Sequence, residues 1–180
     1  MEKKTVVLCD DHNIVRAGLR QIVESFGDFE VLDDVASGEA LFPLFRKQTP
    51  DILLLDISLP GRSGLEVLKQ IQSLYPEVAV LALSMYPEDQ FAIRMIKAGA
   101  RGYLHKDSAP QILKDAMRTI VEGKQYISAE LTRLMIEEMA KDDNDLPHKS
   151  LSDREYEVLL YIGEGKTMTE IATQLSLSIK

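Results

Sequence analysis

Residues 53–64 read LLLDISLPGRSG. Four of the first six positions are leucine or isoleucine, the composition of a strand buried on both faces. Asp56 stands inside that apolar run, and Pro60, Gly61 and Gly64 end it at once. A carboxylate in such a place is costly unless something pairs with it. The rest of the chain therefore has to supply a partner, and the position of that partner decides the fold.

The chain has 180 residues, 45% of them hydrophobic and 28% charged, enough to bury a real core in a soluble globular protein. No stretch approaches a membrane span, and MEKKTVVLCDD lacks the apolar core and cleavage site of a signal peptide. The single cysteine, Cys9, excludes an intrachain disulfide and reads as a small buried hydrophobe. A cytoplasmic location is expected. The net charge of −8 argues against general affinity for nucleic acid. Much of the acidity lies in residues 122–148, which carry 7 acidic against 3 basic side chains and include KDDND, a solvated linker by composition.

Upstream and downstream of Asp56, short apolar runs alternate with helical patterns. The runs are TVVLC (5–9), EVLDDV (30–35), DILLL (51–55), VAVLAL (78–83) and GYL (102–104). Ser63 with Glu66 and Ser108 with Gln111 match the capping box, and Pro87 suits a first helical turn. Five strands with intervening helices predict a doubly wound parallel sheet, helices on both faces. After Val121 the rhythm changes. Residues 128–140 predict a helix with Leu131, Leu134, Met135 and Met139 on one stripe. Two further capping boxes follow: Ser152 with Glu155, opening a helix with Val158, Leu159 and Ile162, and Thr167 with Glu170, opening one with Ile171, Ala172 and Leu175.

The strand ends hold the chemistry. Asp10 and Asp11 follow the first strand, Asp56 the third, Ser84 the fourth and Lys106 the fifth. In open parallel sheets the ligand site lies beyond the carboxyl ends of the strands, where strand order reverses. Three carboxylates meeting there would repel unless a cation joined them, and an oxygen-only set suits Mg²⁺. Mg²⁺, an ammonium and a hydroxyl together would stabilise a phosphoryl group, and a carboxylate can accept one. Taken singly, each residue has a plainer reading as a helix cap, a turn residue or a surface lysine. Their joint placement at one end of one sheet favours the site. His12, His105 and His148 have no metal-ligand spacing and read as structural or exposed, although His12 could tune the acidic pair.

VVLCDDH, LLLDISLPGRSG, ALS and GARGYLHKD, in that order, resemble the receiver domain of two-component response regulators over about residues 4–122. The resemblance implies a flavodoxin-like sheet of order 2-1-3-4-5. It implies that Asp56 accepts a phosphoryl group from a sensor histidine kinase. Asp11 would bind Mg²⁺ directly, Asp10 through water, and Ser58 through its backbone carbonyl. Lys106 would pair with the phosphoryl group, and Ser84 and Tyr103 would form a switch, hydroxyl toward phosphate and ring inward. The positions that orient or exclude water at the mouth of the site would be Ser58 and Tyr86. Tyr86, beside Met85, would cover the phosphoryl group and slow its loss. A phosphorylation-dependent homodimer is expected through the fourth and fifth helices, with Arg94, Lys97, Asp115 and Arg118, or through the first helix, with Arg16 and Arg20.

LSDREYEVLLYIGEGKTMTEIATQLSLSIK (151–180) is similar to the start of the LuxR-type helix-turn-helix domain of the NarL/FixJ regulators, through Leu151, Arg154, Glu155, Glu157, Val158, Leu159, Gly165, Glu170, Ile171, Ala172, Leu175, Leu177 and Ser178. The recognition helix should begin near Ser178, yet the sequence ends at Lys180, so specific DNA contact is expected of the full-length protein only. The organisation expected is a receiver (1–122), a helical and acidic linker (123–148) and a smaller all-α unit, a partial helix-turn-helix (149–180). A Mg²⁺-dependent phosphatase working through an aspartyl-phosphate is disfavoured, because such enzymes carry a second acid where this chain has Ser58; no turnover of an outside substrate is expected. An adaptor acting by protein contact alone is disfavoured by the C-terminal match.

Overall fold

The computed structural model describes residues 3–140 and 151–175. The linker run at 141–145, His148, Leu177 and Ser178 lie outside the described residues. Five strands, β1 (Lys4–Cys9), β2 (Phe29–Val35), β3 (Ile52–Asp56), β4 (Ala79–Ser84) and β5 (Gly102–His105), form one parallel sheet in the order β2-β1-β3-β4-β5. Helices α1 (Asn13–Ser25), α2 (Gly38–Phe45), α3 (Gly64–Leu74), α4 (Glu88–Lys97) and α5 (Pro110–Val121) connect and follow them.

Strand periodicity divides the core in two. Val7, Cys9, Leu53, Leu55, Val80 and Ala82 face Leu41 and Phe45 of α2, Leu68 of α3 and Met95 of α4. Val6, Leu8, Ile52, Leu54, Leu81 and Leu83 face Val23 of α1 and Leu113, Met117 and Ile120 of α5. Every residue of β3 and β4 is buried, as apolar runs covered on both sides should be. Truncating a core leucine such as Leu54 to alanine would cost roughly 2–5 kcal/mol. Burial also drives the Cys9 thiol well above its ordinary pKa, which keeps it inert.

The predicted box at Ser63 and Glu66 is formed. The one at Ser108 and Gln111 is not: α5 has Ala109 at its N-cap and Pro110 in its first turn, so the helix starts one residue later than Ser108 requires. Pro87 likewise stands at the N-cap of α4, not inside it.

Past α5 the chain returns to the sheet edge. The Tyr126 amide donates to the Arg101 carbonyl at 2.8 Å, and Gly102 and Tyr126 form an isolated parallel bridge. Helix α6 (Ala129–Ala140) then lies along α4. Leu131 is fully buried, Met135 packs on the core, and Lys97 pairs with Glu138 at 2.6 Å. Met139, expected on the same stripe, is exposed.

The C-terminal unit contributes α7 (Asp153–Gly163) and α8 (Met168–Gln174), both opened by the expected capping boxes, with Gly165 at φ 79° in the turn between them. Ile171, Ala172 and Leu175 are buried as expected. On α7 the expected apolar face is only partly formed: Val158 packs with Tyr161, Ile171 and Leu175, but Leu159 and Ile162 are exposed, while Glu157 and Tyr161 are buried and Tyr156 and Leu160 pack against the core of the sheet. Tyr156 stands edge-on to Phe91 of α4, Tyr161 packs against Tyr86, and the Arg94 guanidinium lies 4.0 Å from the centre of the Tyr156 ring. No helix among the described residues is long and apolar enough to cross a membrane.

Candidate functional site

The register of the sheet lines up its carboxyl ends. Cys9 pairs with Leu55, Asp56 with Leu83 and Ser84 with His105, so Asp10, Asp56, Ser84 and Lys106 open onto one crevice between β1 and β3. Asp10 and Asp56 are each 1% exposed and Ser84 is fully buried. The Lys106 Nζ sits between the carboxylates, 2.6 Å from Asp56 Oδ2 and 2.7 Å from Asp10 Oδ2. Asp56 Oδ1 accepts from the Ser58 amide at 3.0 Å, and Asp10 Oδ1 accepts from the His12 amide at 2.8 Å.

Burial raises the Asp56 carboxyl above its ordinary pKa, against the pull of Lys106 and the Ser58 amide. For Lys106 burial acts downward, but Asp56 and Asp10 outweigh it and hold the ammonium charged. The pair is thus a charged lysine compensating carboxylates that have lost their water.

The turn that broke the opening stretch explains why the strand ends there. A Cβ on Gly64 would stand 2.5 Å from both the Asp56 carbonyl and the Ile57 Cα, and the Gly64 amide donates to Ile57 at 2.9 Å. Only glycine lets α3 begin this close to the strand end; Gly61, at φ 79°, makes the turn before it.

Asp10, Asp11, His12 and Asp56 offer ligand atoms within 4.8 Å of one another. Asp10 Oδ2 and Asp11 Oδ1 are buried without a well-aligned hydrogen bond, although Lys106 Nζ and His12 Nδ1 stand close by. Carboxylates with unfilled acceptor capacity fit a hard divalent cation such as Mg²⁺. His12, largely exposed and 2.7 Å from Asp11, belongs to the rim of this cluster, a place its position after the acidic pair had signalled. Arg16 was not read as part of the site, yet its Nη1 donates to the Asp10 carbonyl at 2.5 Å.

Tyr103 is buried, its ring already inward and its hydroxyl donating to the Tyr86 carbonyl at 2.8 Å. The Ser84 Oγ accepts from the Tyr86 amide at 2.8 Å. Met85 is exposed, and the Tyr86 ring meets Phe91 and Tyr161, at 5.2 and 6.3 Å between ring centres. The bulk expected over Asp56 is thus directed to α7. Of the charges expected at a dimer face, Arg94 and Lys97 are engaged with Tyr156 and Glu138, and Arg118 with Asp28. Asp115 accepts from Gln111, and Arg16 and Arg20 both bind Asp34.

Comparison with known proteins agrees with this geometry. Residues 6–118 match the family described as response regulator receiver domain, and residues 149–180 match the bacterial regulatory proteins of the luxR family. The response regulator UvrY of Escherichia coli K12 is 35% identical over 176 residues, 97% of this chain and 81% of that protein. A LuxR-family response regulator from Aurantimonas sp. SI85-9A1 superposes with a TM-score of 0.71 at 31% identity, covering 78% of this chain and all of that one. RcsB of Salmonella enterica serovar Typhimurium, solved on the promoter rprA with a beryllofluoride phosphomimetic, superposes with a TM-score of 0.68 at 27% identity over 98% of this chain and 85% of that one. An acidic crevice at the switch point of a 2-1-3-4-5 sheet, followed by a helical unit of the luxR type, makes this chain a two-component response regulator of the NarL/FixJ family of transcription regulators.

Proposed function

We propose that Asp56 is the phosphoacceptor through which a sensor histidine kinase controls this regulator. The observation that carries the reading is the Lys106 ammonium held 2.6 Å from Asp56 in a crevice of further carboxylates. An Asp56 carboxylate oxygen attacks phosphorus of the kinase phosphohistidine; the P–N bond breaks and its electron pair returns to the imidazole, which takes up a proton. Asp11, Asp10, Asp56 and the Ser58 carbonyl are the groups to hold Mg²⁺, which supplies positive charge for carboxylate and phosphoryl oxygens. Lys106 moves from carboxylate to phosphoryl oxygen, and the Ser84 hydroxyl donates to another. No outside substrate is turned over, since Ser58 offers no acid for a second chemical step.

The phosphoryl state is read at Ser84, Tyr86 and Tyr103. Tyr103 holds the Tyr86 carbonyl and the Tyr86 ring packs on Tyr161, so a change at the crevice reaches the C-terminal unit through Tyr86. Specific DNA binding and phosphorylation-dependent dimerisation of the full-length regulator in the cytoplasm are the output. With a small phosphodonor and Mg²⁺, intact-mass measurement is expected to find one phosphoryl group on the wild type and none on Asp56→Asn. Equal modification of the two would exclude Asp56.

A further inference from the structure

His105 has no part in the chemistry above, yet it joins the two loops that flank Asp56. Tyr103 and His105 lie two apart on β5, so their side chains leave the same face of the strand. They catch consecutive carbonyls of the β4–α4 loop: Tyr103 Oη donates to Tyr86, and His105 Nε2 stands 2.8 Å from the Met85 oxygen. The other ring nitrogen, Nδ1, accepts from the Asp107 amide at 3.2 Å. An amide can only donate, so Nδ1 is the bare nitrogen and Nε2 carries the proton given to Met85. One imidazole therefore ties the β4–α4 loop to the loop that carries Lys106, with the Asp107 carboxylate also 3.7 Å from Nδ1.

The loop held in this way has a definite geometry. The Ser84 Oγ accepts from the Tyr86 amide, and its hydroxyl stands against the Tyr103 hydroxyl. The Tyr103 ring is inward. Ser84, Tyr86 and Tyr103 are thus tied into one local hydrogen-bonded unit beside the crevice.

We infer that His105 is a positioning residue that pre-organises the switch loop, through its hydrogen bond to the Met85 carbonyl, for the phosphoryl group. The inference rests on the reading of Asp56 as phosphoacceptor. A site whose competent arrangement is only partly populated responds in proportion to that fraction. Loss of one such hydrogen bond should lower it roughly two- to tenfold.

The test compares three variants of the full chain. His105→Leu removes both ring contacts. His105→Asn keeps an acceptor near the Nδ1 position but loses the donor to Met85, and His105→Gln keeps a donor near the Nε2 position. Hydrogen exchange of the Tyr86 amide in Mg²⁺-free buffer, and the rate of Asp56 phosphorylation by a small phosphodonor with Mg²⁺, are measured for each. Exchange should be roughly two- to tenfold faster, and phosphorylation slower by a similar factor, in His105→Leu and His105→Asn, with His105→Gln close to wild type. Unchanged exchange in His105→Leu, wild-type behaviour of His105→Asn, or a His105→Gln variant as impaired as His105→Leu would each overturn the inference. A wild type that takes no phosphoryl group on Asp56, with the exchange pattern intact, would instead refute the phosphoacceptor reading and leave the loop contact standing.

Discussion

The crevice around Asp56 and the seam between α7 and the receiver are built on opposite principles. In the crevice, carboxylates that repel one another are held in place by sheet register and compensated by one ammonium. In the seam, Tyr86, Phe91, Tyr156 and Tyr161 meet as rings, with Arg94 over one face and the Arg154 fork reaching Glu157, the Gly61 carbonyl and the Leu175 carbonyl. The crevice stores unfavourable charge that a ligand can relieve; the seam holds by apolar contact and a few hydrogen bonds, and can open at modest cost. A signalling protein needs both: a site that gains by binding and a contact that can be undone.

The largest effect should come from the ammonium that compensates the crevice. Lys106→Met leaves Asp10 and Asp56 buried without a cation, and in Mg²⁺-free buffer should lower stability by about 3–5 kcal/mol in urea unfolding. Much of the loss should return with Mg²⁺. A loss that Mg²⁺ leaves untouched would mean that repulsion between carboxylates is not what the crevice stores.

On the other side of the comparison, Arg154→Ala leaves Glu157 buried without its partner at 2.7 Å and frees the Gly61 and Leu175 carbonyls. Amide protection in α7 and α8 should fall by about 1.5–3 kcal/mol, with that of β3 and β4 unchanged. Equal loss in the sheet would show the two regions to be one cooperative unit.

Asp56→Asn should raise stability modestly at neutral pH without Mg²⁺. The sign follows from burial. A carboxyl whose folded pKa lies above its unfolded value of about 3.9 destabilises the fold wherever it is charged in both states, and the penalty fades as pH falls through the folded value. Thermal melts of wild type and variant should therefore differ most at neutral pH and converge near pH 4.

The smallest effect concerns the seam. The Tyr161 hydroxyl is buried beside the Tyr86 hydroxyl, which is near enough to donate to it but poorly aligned. Tyr161→Phe should be neutral or stabilising by up to about 1 kcal/mol. A clear loss of stability in urea unfolding would show that the Tyr86 hydroxyl is an effective partner despite its alignment.

The same contrast governs what could be read from sequence. The crevice is legible because each of its residues terminates an apolar run, so period and position alone bring Asp10, Asp56, Ser84 and Lys106 to one end of the sheet. The seam is not. On helix α7, Leu159 and Ile162 face outward while Tyr156, Leu160 and Tyr161 pack beside Val158, and only the proximity of Phe91 and Tyr86, some seventy residues away, makes that choice. Tyr86 shows the same limit: spacing from Ser84 places it at the mouth of the site, while the direction of its ring depends on Phe91 and the distant Tyr161. Ser108 shows the local limit, where Pro110 fixed the helix start one residue beyond the apparent cap.

The bridge between Gly102 and Tyr126 bears on how two copies can meet. An open sheet has two rims of unpaired backbone, each able to recruit a strand from another molecule. Here the chain beyond α5 lies along the β5 rim, and the β2 rim carries the exposed Glu30 and Asp33. Strand-to-strand growth between molecules is obstructed on one rim by the protein's own backbone and on the other by negative charge. Of the surfaces of the sheet domain, that leaves the helical faces as the ones open to a partner.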